Sequence, residues 1–191
     1  MKKAIEVSMK PEEKLSDIEK LTKQVPKGDW VELGVYKGGS ALLLCELKGT
    51  RKLYLADSYE GLPEPGKNDH RPNGTFHKKG DITGTLEEVK DLLKGYTNIK
   101  YVKGWITDSK EYFSQFPDSI AFLHVDVDYE QPYRDILKHL YPRVKKGGVI
   151  VFDDYGYYKG AEIAVNDFIK QTGEKLHITK GTSQAYVVVG E

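Results

Sequence analysis

Residues 30–40, WVELGVYKGGS, decide the fold that this sequence predicts. An apolar strand ends at Leu33 and is followed by Gly34, Gly38 and Gly39, after which an apolar helix begins. Glycine lacks a Cβ atom, so a ligand can approach the backbone closely, and the N-terminus of the next helix offers unpaired amides and a positive dipole to an anion. The stretch therefore predicts a strand, a ligand-binding turn and a helix.

Glu32, near the end of the same strand, can balance an ammonium group. A helix N-terminus that accepts a carboxylate, beside a side chain that accepts an ammonium, suits the amino-acid end of S-adenosyl-L-methionine. The dinucleotide fingerprint is G-x-G-x-x-G, whereas the glycines here follow G-x-x-x-G-G, so a phosphate-binding turn is less well supported. The alternative is a glycine-rich turn that binds no ligand, because such turns are common between strands and helices.

Along the chain, β-branched runs alternate with amphipathic stretches, which is typical of βαβ units and a parallel sheet. The last two runs are separated only by the turn region GTSQ, and this spacing predicts an antiparallel pair. We predict strands over 29–33, 52–57, 99–103, 120–126, 148–152, 175–179 and 185–189. The irregular stretch 62–80 is longer than an ordinary connection, which indicates a lid or a binding loop.

Length and charge limit the class of protein. A chain of 191 residues fits one domain, and its 29 basic and 29 acidic residues cancel, so no cationic surface is expected to hold nucleic acid or an anionic membrane. We therefore expect a small-molecule partner, and the oligomeric state stays open, a homo-oligomer included. Residues 1–27 predict a helical cover without the apolar run of a signal peptide or a membrane span, which favours a cytoplasmic protein. The lone Cys45 lies in an apolar helical run and predicts a core thiol.

The ends of the second and third strands carry further candidates. Asp57 stands where doubly wound folds place an acidic side chain against ribose hydroxyls, about 20 residues after the first glycines. Trp105 offers a flat surface to an adenine, and Asp108 can accept a hydrogen bond from an exocyclic amine. The alternatives are a turn cap for Asp57, a core position for Trp105 and a helix N-cap for Asp108.

Four acidic residues end the fourth and fifth strands, Asp126 and Asp128 in AFLHVDVDYEQP and Asp153 and Asp154 in VIVFDDYG. Strand alternation and a strand spacing of about 4.8 Å predict that the four carboxylates converge. Like charges so close require protonation or a cation, and an all-oxygen set suits Mg²⁺, Mn²⁺ or Ca²⁺. The alternative is that Asp128 caps a helix and that the other pair belongs to a turn.

Together, these motifs resemble the macrocin O-methyltransferase family, metal-dependent enzymes that methylate sugar hydroxyls on macrolide and aminocoumarin antibiotics. The resemblance covers most of the chain and rests on VELGVYKGGS, DSYEGLPEP, KGWITDS, HVDVDYEQP, LYPRVKKGGVIVFDDYG and AVNDF. It implies an α/β fold, that of a single-domain Rossmann-like class I methyltransferase with a mostly parallel seven-stranded sheet and a C-terminal antiparallel hairpin. It also implies S-adenosyl-L-methionine as the cofactor and a small-molecule hydroxyl as the methyl acceptor.

The resemblance further implies roles for individual residues. Asp126, Asp153 and Asp154 would bind Mg²⁺ or another divalent cation, and Asp128 would be the general base. With the residues of the first three strand ends, the candidate cofactor-binding set is Glu32, Gly34, Tyr36, Gly38, Gly39, Ser40, Asp57, Ser58, Trp105, Asp108 and Asp126.

The chemistry narrows the acceptor. A hydroxyl must lose its proton as it attacks the methyl group, so metal and base would share that task. Two vicinal hydroxyls could chelate the metal, which favours a sugar, a glycoside, a diol or a catechol. We expect His124 to be a core residue with its hydrogen bonds satisfied. His70 and His77 lie in the long loop, which could close over the acceptor.

Two other classes of protein stay open from the sequence. The first is a nucleotide-binding oxidoreductase, which the glycine spacing disfavours. The second is a protein that binds S-adenosyl-L-methionine without catalysis.

Overall fold

The computed structural model describes residues 2–191 and contains a seven-stranded sheet in the order β3-β2-β1-β4-β5-β7-β6. Strands β1 to β5 pair in parallel, whereas β7 runs antiparallel to both β5 and β6. The predicted Rossmann-like fold with a C-terminal antiparallel pair is therefore confirmed. The strands are β1 (Asp29–Leu33), β2 (Leu53–Asp57), β3 (Ile99–Lys103), β4 (Ile120–Val125), β5 (Val144–Phe152), β6 (His177–Ile178) and β7 (Ala185–Val188).

Helices cover both faces of the sheet. Strand residues alternate between two hydrophobic cores, because successive side chains of a strand point to opposite faces. Val31 and Leu33 face one core with α5, α6 and α7, whereas Trp30 faces the other with α1 to α4. The helices are α1 (Lys2–Val7), α2 (Glu12–Thr22), α3 (Gly39–Leu47), α4 (Leu86–Leu92), α5 (Lys110–Phe113), α6 (Glu130–Leu140) and α7 (Lys159–Thr172), and a 3₁₀ turn at Tyr141–Arg143 joins α6 to β5.

Strand β5 begins four residues earlier than the sequence predicted. Val144 pairs with Ile120, and the ladder then shifts register before Phe122. Gly147 absorbs the irregularity with φ of +76°, a left-handed conformation that glycine adopts readily. Gly147 and Gly148 therefore lie at an interruption within one strand.

The core on the side of Trp30 contains the lone thiol and the N-terminal helices. Cys45 is buried in α3, and burial raises its pKa to about 12, opposed by the nearby Lys48, so the thiol is a packing group. Helices α1 and α2 both pack against α3. Within residues 2–191 no helix combines the length and the apolar character that a membrane span requires.

Candidate active site

A cavity of about 1100 Å³ opens at the carboxyl ends of the parallel strands. Open α/β sheets bind their ligands at this edge, where the strand order reverses. Its wall is formed by the turn after β1, the ends of β2, β4 and β5, the loop 62–80 and residues 8–14, which we call the N-terminal strap. The cavity brings the predicted glycine turn and the predicted acids into one space.

The glycine turn is shaped mainly by contacts within the protein. Gly34 has φ of +86°, and a Cβ atom there would lie 2.6 Å from the carbonyl carbon of Asp126 and closer still to its oxygen. A Cβ atom on Gly39 would lie 2.6 Å from the Cα atom of Ser8 in the strap. Gly34, Gly39 and Ser40 line the cavity, whereas Gly38 is the N-cap of α3 and is not part of the lining.

Asp57 holds the glycine turn in place. Its Oδ2 atom accepts hydrogen bonds from the amides of Val35 at 2.7 Å and Tyr36 at 3.0 Å, and its Oδ1 atom accepts one from Tyr59 at 2.7 Å. Asp57 lines the cavity with Tyr36 and Ser58, as predicted for the ribose side of a cofactor. The ribose contact itself stays a prediction.

The structure does not bring Glu32 to the cavity wall. Its side chain is fully buried because it follows Val31 on β1 and points into the opposite core. Its Oε1 atom lies 3.0 Å from Nδ1 of His124, its neighbour on β4, and its Oε2 atom has no hydrogen-bond partner among the described residues. The predicted ammonium acceptor is therefore a partner of a buried histidine here.

His124 links Glu32 to the acids. Its Nε2 atom lies 3.4 Å from Oδ1 of Asp153, and the ring is fully buried. Burial opposes a charge on the ring, but hydrogen bonds with Asp153 and Glu32 raise the pKa of His124 to about 9. The histidine is satisfied, as expected, and is a cation at neutral pH.

Three of the four predicted acids converge. Asp126, Asp153 and Asp154, which we call the acid cluster, each offer a carboxylate oxygen within 4.8 Å of the others. Oδ2 of Asp154 accepts a hydrogen bond from the amide of Asp128 at 3.0 Å and lies 3.0 Å from the hydroxyl of Tyr133. Burial and the charges of Asp126 and Asp153 raise the pKa of Asp154 to about 7.

Asp128 stands beside the acid cluster in an unusual backbone conformation. Its φ of +62° is left-handed, which is uncommon for residues other than glycine and occurs often at functional sites. Burial raises the pKa of Asp128 well above its ordinary value, and Asp154 and Asp126 raise it further. The residue lines the cavity next to the acid cluster.

Two lysines of the strap supply cations that sequence reasoning missed. Nζ of Lys10 pairs with Oδ2 of Asp126 and lies 3.2 Å from Oδ2 of Asp153. Nζ of Lys14 donates to the carbonyl oxygen of Asp153 at 2.7 Å and to its Oδ2 at 2.8 Å. Burial raises the pKa of Asp153, but Lys10, a hydrogen bond from His124 and Lys14 outweigh it and hold the pKa well below the ordinary value. The positive charge that the sequence required beside these acids is therefore supplied in part by two lysines of the chain.

Gln184 is a third residue whose role the sequence did not reveal. Its Nε2 atom donates to Oδ1 of Asp153 at 2.9 Å, and its side chain is fully buried. The antiparallel pairing of β7 with β5 places it there, since Ala185 pairs with Phe152. The hairpin was predicted, but the role of its GTSQ turn as a wall of the cavity was not.

The loop after β3 carries the two remaining candidates, and only one of them lines the cavity. Trp105 lines the cavity, as predicted. Asp108 lies outside it, because the loop carries the residue to α6, where its carboxylate pairs with Lys138 and His139 at 2.6 Å each. Nor does Asp108 cap α5, since that role belongs to Ser109.

The loop 62–80 and the start of α6 form the other end of the cavity. His77 lines it and lies 3.2 Å from a carboxylate oxygen of Asp81, whereas His70 is not part of the lining. Asp69 is buried and accepts hydrogen bonds from the amides of Gly66 and Glu130, both at 2.8 Å. This end of the cavity is polar but largely satisfied by its own backbone.

Aromatic side chains complete that end. Tyr129, Tyr157 and Tyr158 line it, with the rings of Tyr129 and Tyr158 in edge-to-face contact at 6.0 Å. The hydroxyl of Tyr129 is buried and has no hydrogen-bond partner among the described residues. A buried tyrosine hydroxyl usually has a partner, so that of Tyr129 leaves one hydrogen bond unused at this end of the cavity.

The acid cluster fits a divalent cation. Three carboxylates supply the hard oxygen ligands that Mg²⁺, Mn²⁺ and Ca²⁺ prefer. The ammonium of Lys10 already lies against two of these carboxylates, which shows that the cluster accommodates positive charge. Gln184, His124 and Tyr133 hold the carboxylates from outside, as supporting residues do around metal sites.

The sheet order and a cavity that joins the glycine turn to the acid cluster define a Rossmann-like methyltransferase fold, the fold for which S-adenosyl-L-methionine is the cofactor. The family model described as Macrocin-O-methyltransferase (TylF) matches residues 5–183, and the chain belongs to this family.

Individual relatives agree with this assignment. The chain is 30% identical over 153 residues to 8-demethyl-8-(2,3-dimethoxy-alpha-L-rhamnosyl)-tetracenomycin-C 4'-O-methyltransferase of Streptomyces olivaceus, a match that covers 74% of this chain and 58% of that protein. It is 28% identical over 154 residues to demethyldecarbamoylnovobiocin O-methyltransferase of Streptomyces niveus, with the same two coverages. The chain therefore spans less than two thirds of the length of these relatives. The structure of the O-methyltransferase NovP superposes with a TM-score of 0.81 at 25% identity, covering 95% of this chain and 81% of that one.

Proposed function

We propose that this protein transfers a methyl group from S-adenosyl-L-methionine to a hydroxyl of a sugar or glycoside, assisted by a divalent cation on Asp126, Asp153 and Asp154. The observation that carries the proposal is the single cavity that joins the glycine turn and Asp57 to the acid cluster. The names of the two Streptomyces relatives, both O-methyltransferases, support the type of reaction.

In this reaction Asp128 is the general base that accepts the proton of the hydroxyl. The hydroxyl oxygen attacks the methyl carbon as the C–S bond of the sulfonium breaks, which gives a methyl ether and S-adenosyl-L-homocysteine, and the hydroxyl proton passes to Asp128. A divalent cation, when bound, lowers the pKa of the attacking hydroxyl. Burial raises the pKa of Asp128, which makes its carboxylate a stronger base once it is ionised.

The supporting residues keep the ligands ready. Asp153 is held by Gln184, His124 and Lys14, and Asp154 is held by Tyr133 and the amide of Asp128. Carboxylates fixed in this way need little rearrangement to hold a cation, and removing such supports lowers metal affinity in other proteins.

The aromatic end of the cavity supports a sugar as the acceptor. Tyrosine rings provide flat apolar faces, and the free hydroxyl of Tyr129 provides a hydrogen-bond partner. Together they suit a ring that is apolar on its faces and polar at its edge.

A methyl-transfer screen tests the proposal. The protein is incubated with S-adenosyl-L-methionine, Mg²⁺ and a panel of glycosides, free sugars and catechols, and both methyl ether and S-adenosyl-L-homocysteine are measured by mass spectrometry. We expect turnover with at least one sugar hydroxyl and its loss in excess EDTA. Asp108→Asn is the matched control, since Asp108 lies outside the cavity, and this variant should retain turnover.

Two results would contradict the proposal in separate ways. Full turnover in excess EDTA would contradict the role of the metal and leave the proposed methyl transfer intact. Calorimetric binding of NAD without binding of S-adenosyl-L-homocysteine would contradict the methyl transfer itself.

A further inference from the structure

The N-terminal strap forms part of the wall of the active-site cavity. Ser8, Met9, Lys10, Pro11 and Lys14 all line it. The strap runs from the end of α1 into the first turn of α2, and a hydrogen bond from the amide of Lys10 to Oγ of Ser8 at 3.0 Å turns the chain between them. The strap is therefore seated on the turn after β1 at one point and on the acid cluster at the next.

The two lysines of the strap reach the acid cluster differently. Lys10 touches only carboxylates there, those of Asp126 and Asp153. Lys14 also donates to the backbone carbonyl of Asp153, so it is anchored on the strand end as well as on the ligand. The ammonium of Lys10 therefore stands where a cation shared by Asp126 and Asp153 would stand, whereas Lys14 approaches from the side.

We infer that Lys10 is a built-in competitor of the divalent cation, and that the cation binds only when the strap lifts Lys10 off Asp126 and Asp153. The inference rests on the proposed function for the cation itself. A cation between the same two oxygens would meet the ammonium at contact distance, and two positive charges there repel each other. Metal loading and seating of Lys10 are then alternative states of one site.

The competition has a measurable cost for metal affinity. If the metal-competent state is a fraction of the population, the apparent dissociation constant rises in inverse proportion to that fraction. A strap seated nine-tenths of the time would weaken metal binding about tenfold by this relation. Removing the ammonium of Lys10 should therefore raise the metal affinity by the same factor without altering any carboxylate.

The test uses Mn²⁺ alone as the probe, with free Mn²⁺ followed by electron paramagnetic resonance. Lys10→Met keeps most of the apolar length of the side chain and removes its charge, and it should bind Mn²⁺ about tenfold more tightly than the unchanged protein. Lys20→Met is the matched control, because Lys20 lies in the helix that follows Lys10, is exposed and pairs only with Asp17. Its Mn²⁺ affinity should equal that of the unchanged protein.

A second measurement needs no variant. In the unchanged protein, saturating Mn²⁺ should increase amide hydrogen exchange in the strap, because its seat on the acid cluster is lost. If Lys10→Met unfolds, which thermal unfolding reveals, Lys10→Gln and this exchange measurement carry the test.

The outcomes separate the inference from the proposed function. Tighter binding by Lys10→Met, even where the unchanged protein binds no Mn²⁺, supports the competition. Equal Mn²⁺ affinity in folded Lys10→Met and the unchanged protein, or a strap protected from exchange by Mn²⁺, overturns it and leaves the metal role intact. Absence of Mn²⁺ binding in both proteins overturns the competition and the metal role together, while turnover in EDTA then shows whether the methyl transfer stands.

Discussion

The replacement of Gly34 by alanine tests the geometry that joins the glycine turn to the acid cluster. A Cβ atom at this position would lie 2.6 Å from the carbonyl carbon of Asp126, whereas ordinary contacts begin at 3.4 Å. The opposing groups are both backbone, so neither can rotate away. The end of β1 and the end of β4 would have to separate, and the hydrogen bond from the amide of Asp126 to the carbonyl of Leu33, 2.9 Å long, would be strained or lost.

The expected destabilisation combines three costs. A left-handed conformation costs a residue with a Cβ atom about 1–2 kcal/mol, overpacking costs about 1–3 kcal/mol, and one lost hydrogen bond costs about 1 kcal/mol. Together they predict a loss of roughly 4 kcal/mol in the free energy of unfolding, or a fall of about 10 °C in Tm for a chain of this size. Urea and thermal unfolding measure both quantities.

Gly49→Ala is the control that separates the cost of the clash from the cost of the left-handed backbone. Gly49 also has a left-handed φ, +59°, but a Cβ atom there would meet nothing within 4 Å. This control should lose only about 1–2 kcal/mol. If Gly34→Ala is no less stable than Gly49→Ala, the close approach of the two strand ends is not a constraint, and the reasoning fails.

Four further predictions concern the acids, the loop and the buried histidine. Asp128→Asn should lower turnover by at least about 100-fold while leaving Mn²⁺ affinity near normal, and retained turnover would exclude it as the base. Asp126→Asn should instead weaken Mn²⁺ binding by about 10–100-fold, and added metal should restore part of the activity. Amides of residues 71–76 should exchange rapidly without acceptor, because this tip of the long loop is mostly exposed, and strong protection would contradict it. Although burial opposes its charge, hydrogen bonds with Asp153 and Glu32 raise the pKa of His124 from 6.5 to about 9, so the stability it contributes is complete below pH 6.5 and is lost as the pH rises through 9. Thermal unfolding across this range should show the decline in the unchanged protein and a smaller one in His124→Gln.

The sheet could be predicted from the sequence because its signals are local. Apolar strands, glycine turns and amphipathic helices repeat in order, and the antiparallel pair followed from a short turn. The details that differ depend on pairing with distant strands. The extension of β5 back to Val144 depends on pairing with Ile120, and β6 is short because its pairing with β7 is limited to His177 and Ile178.

The candidate site was predictable only where residues end parallel strands. Asp126, Asp153 and Asp154 share one edge of the sheet, so the topology alone brings them together. Lys10 and Lys14 come from a polar N-terminal segment whose lysines resemble ordinary solvated side chains in the sequence. Their position depends on how α1 and α2 pack against α3, which no local pattern encodes.

Strand alternation explains how the charges around the acid cluster are divided. Asp126 and Asp153 lie on the same face of the sheet as His124 and Val151, the face that the strap covers. The cations on this face are Lys10 and Lys14 of the strap and His124 of β4. Asp154 continues the pattern of Phe152 and points toward α6, where its partners are a hydroxyl and an amide.

The count of charges connects the cation to the base. Five carboxylates meet three cations in this region, namely Glu32, Asp126, Asp128, Asp153 and Asp154 against Lys10, Lys14 and His124. Burial and neighbouring carboxylates raise the pKa values of Asp126, Asp128 and Asp154, whereas Lys10, His124 and Lys14 hold the pKa of Asp153 low. Asp128 accepts a proton only while it is ionised, and a divalent charge beside it favours that form. A divalent charge that activates the acceptor hydroxyl would therefore also keep Asp128 ionised. The position of the strap should accordingly affect both the activation of the hydroxyl and the acceptance of its proton.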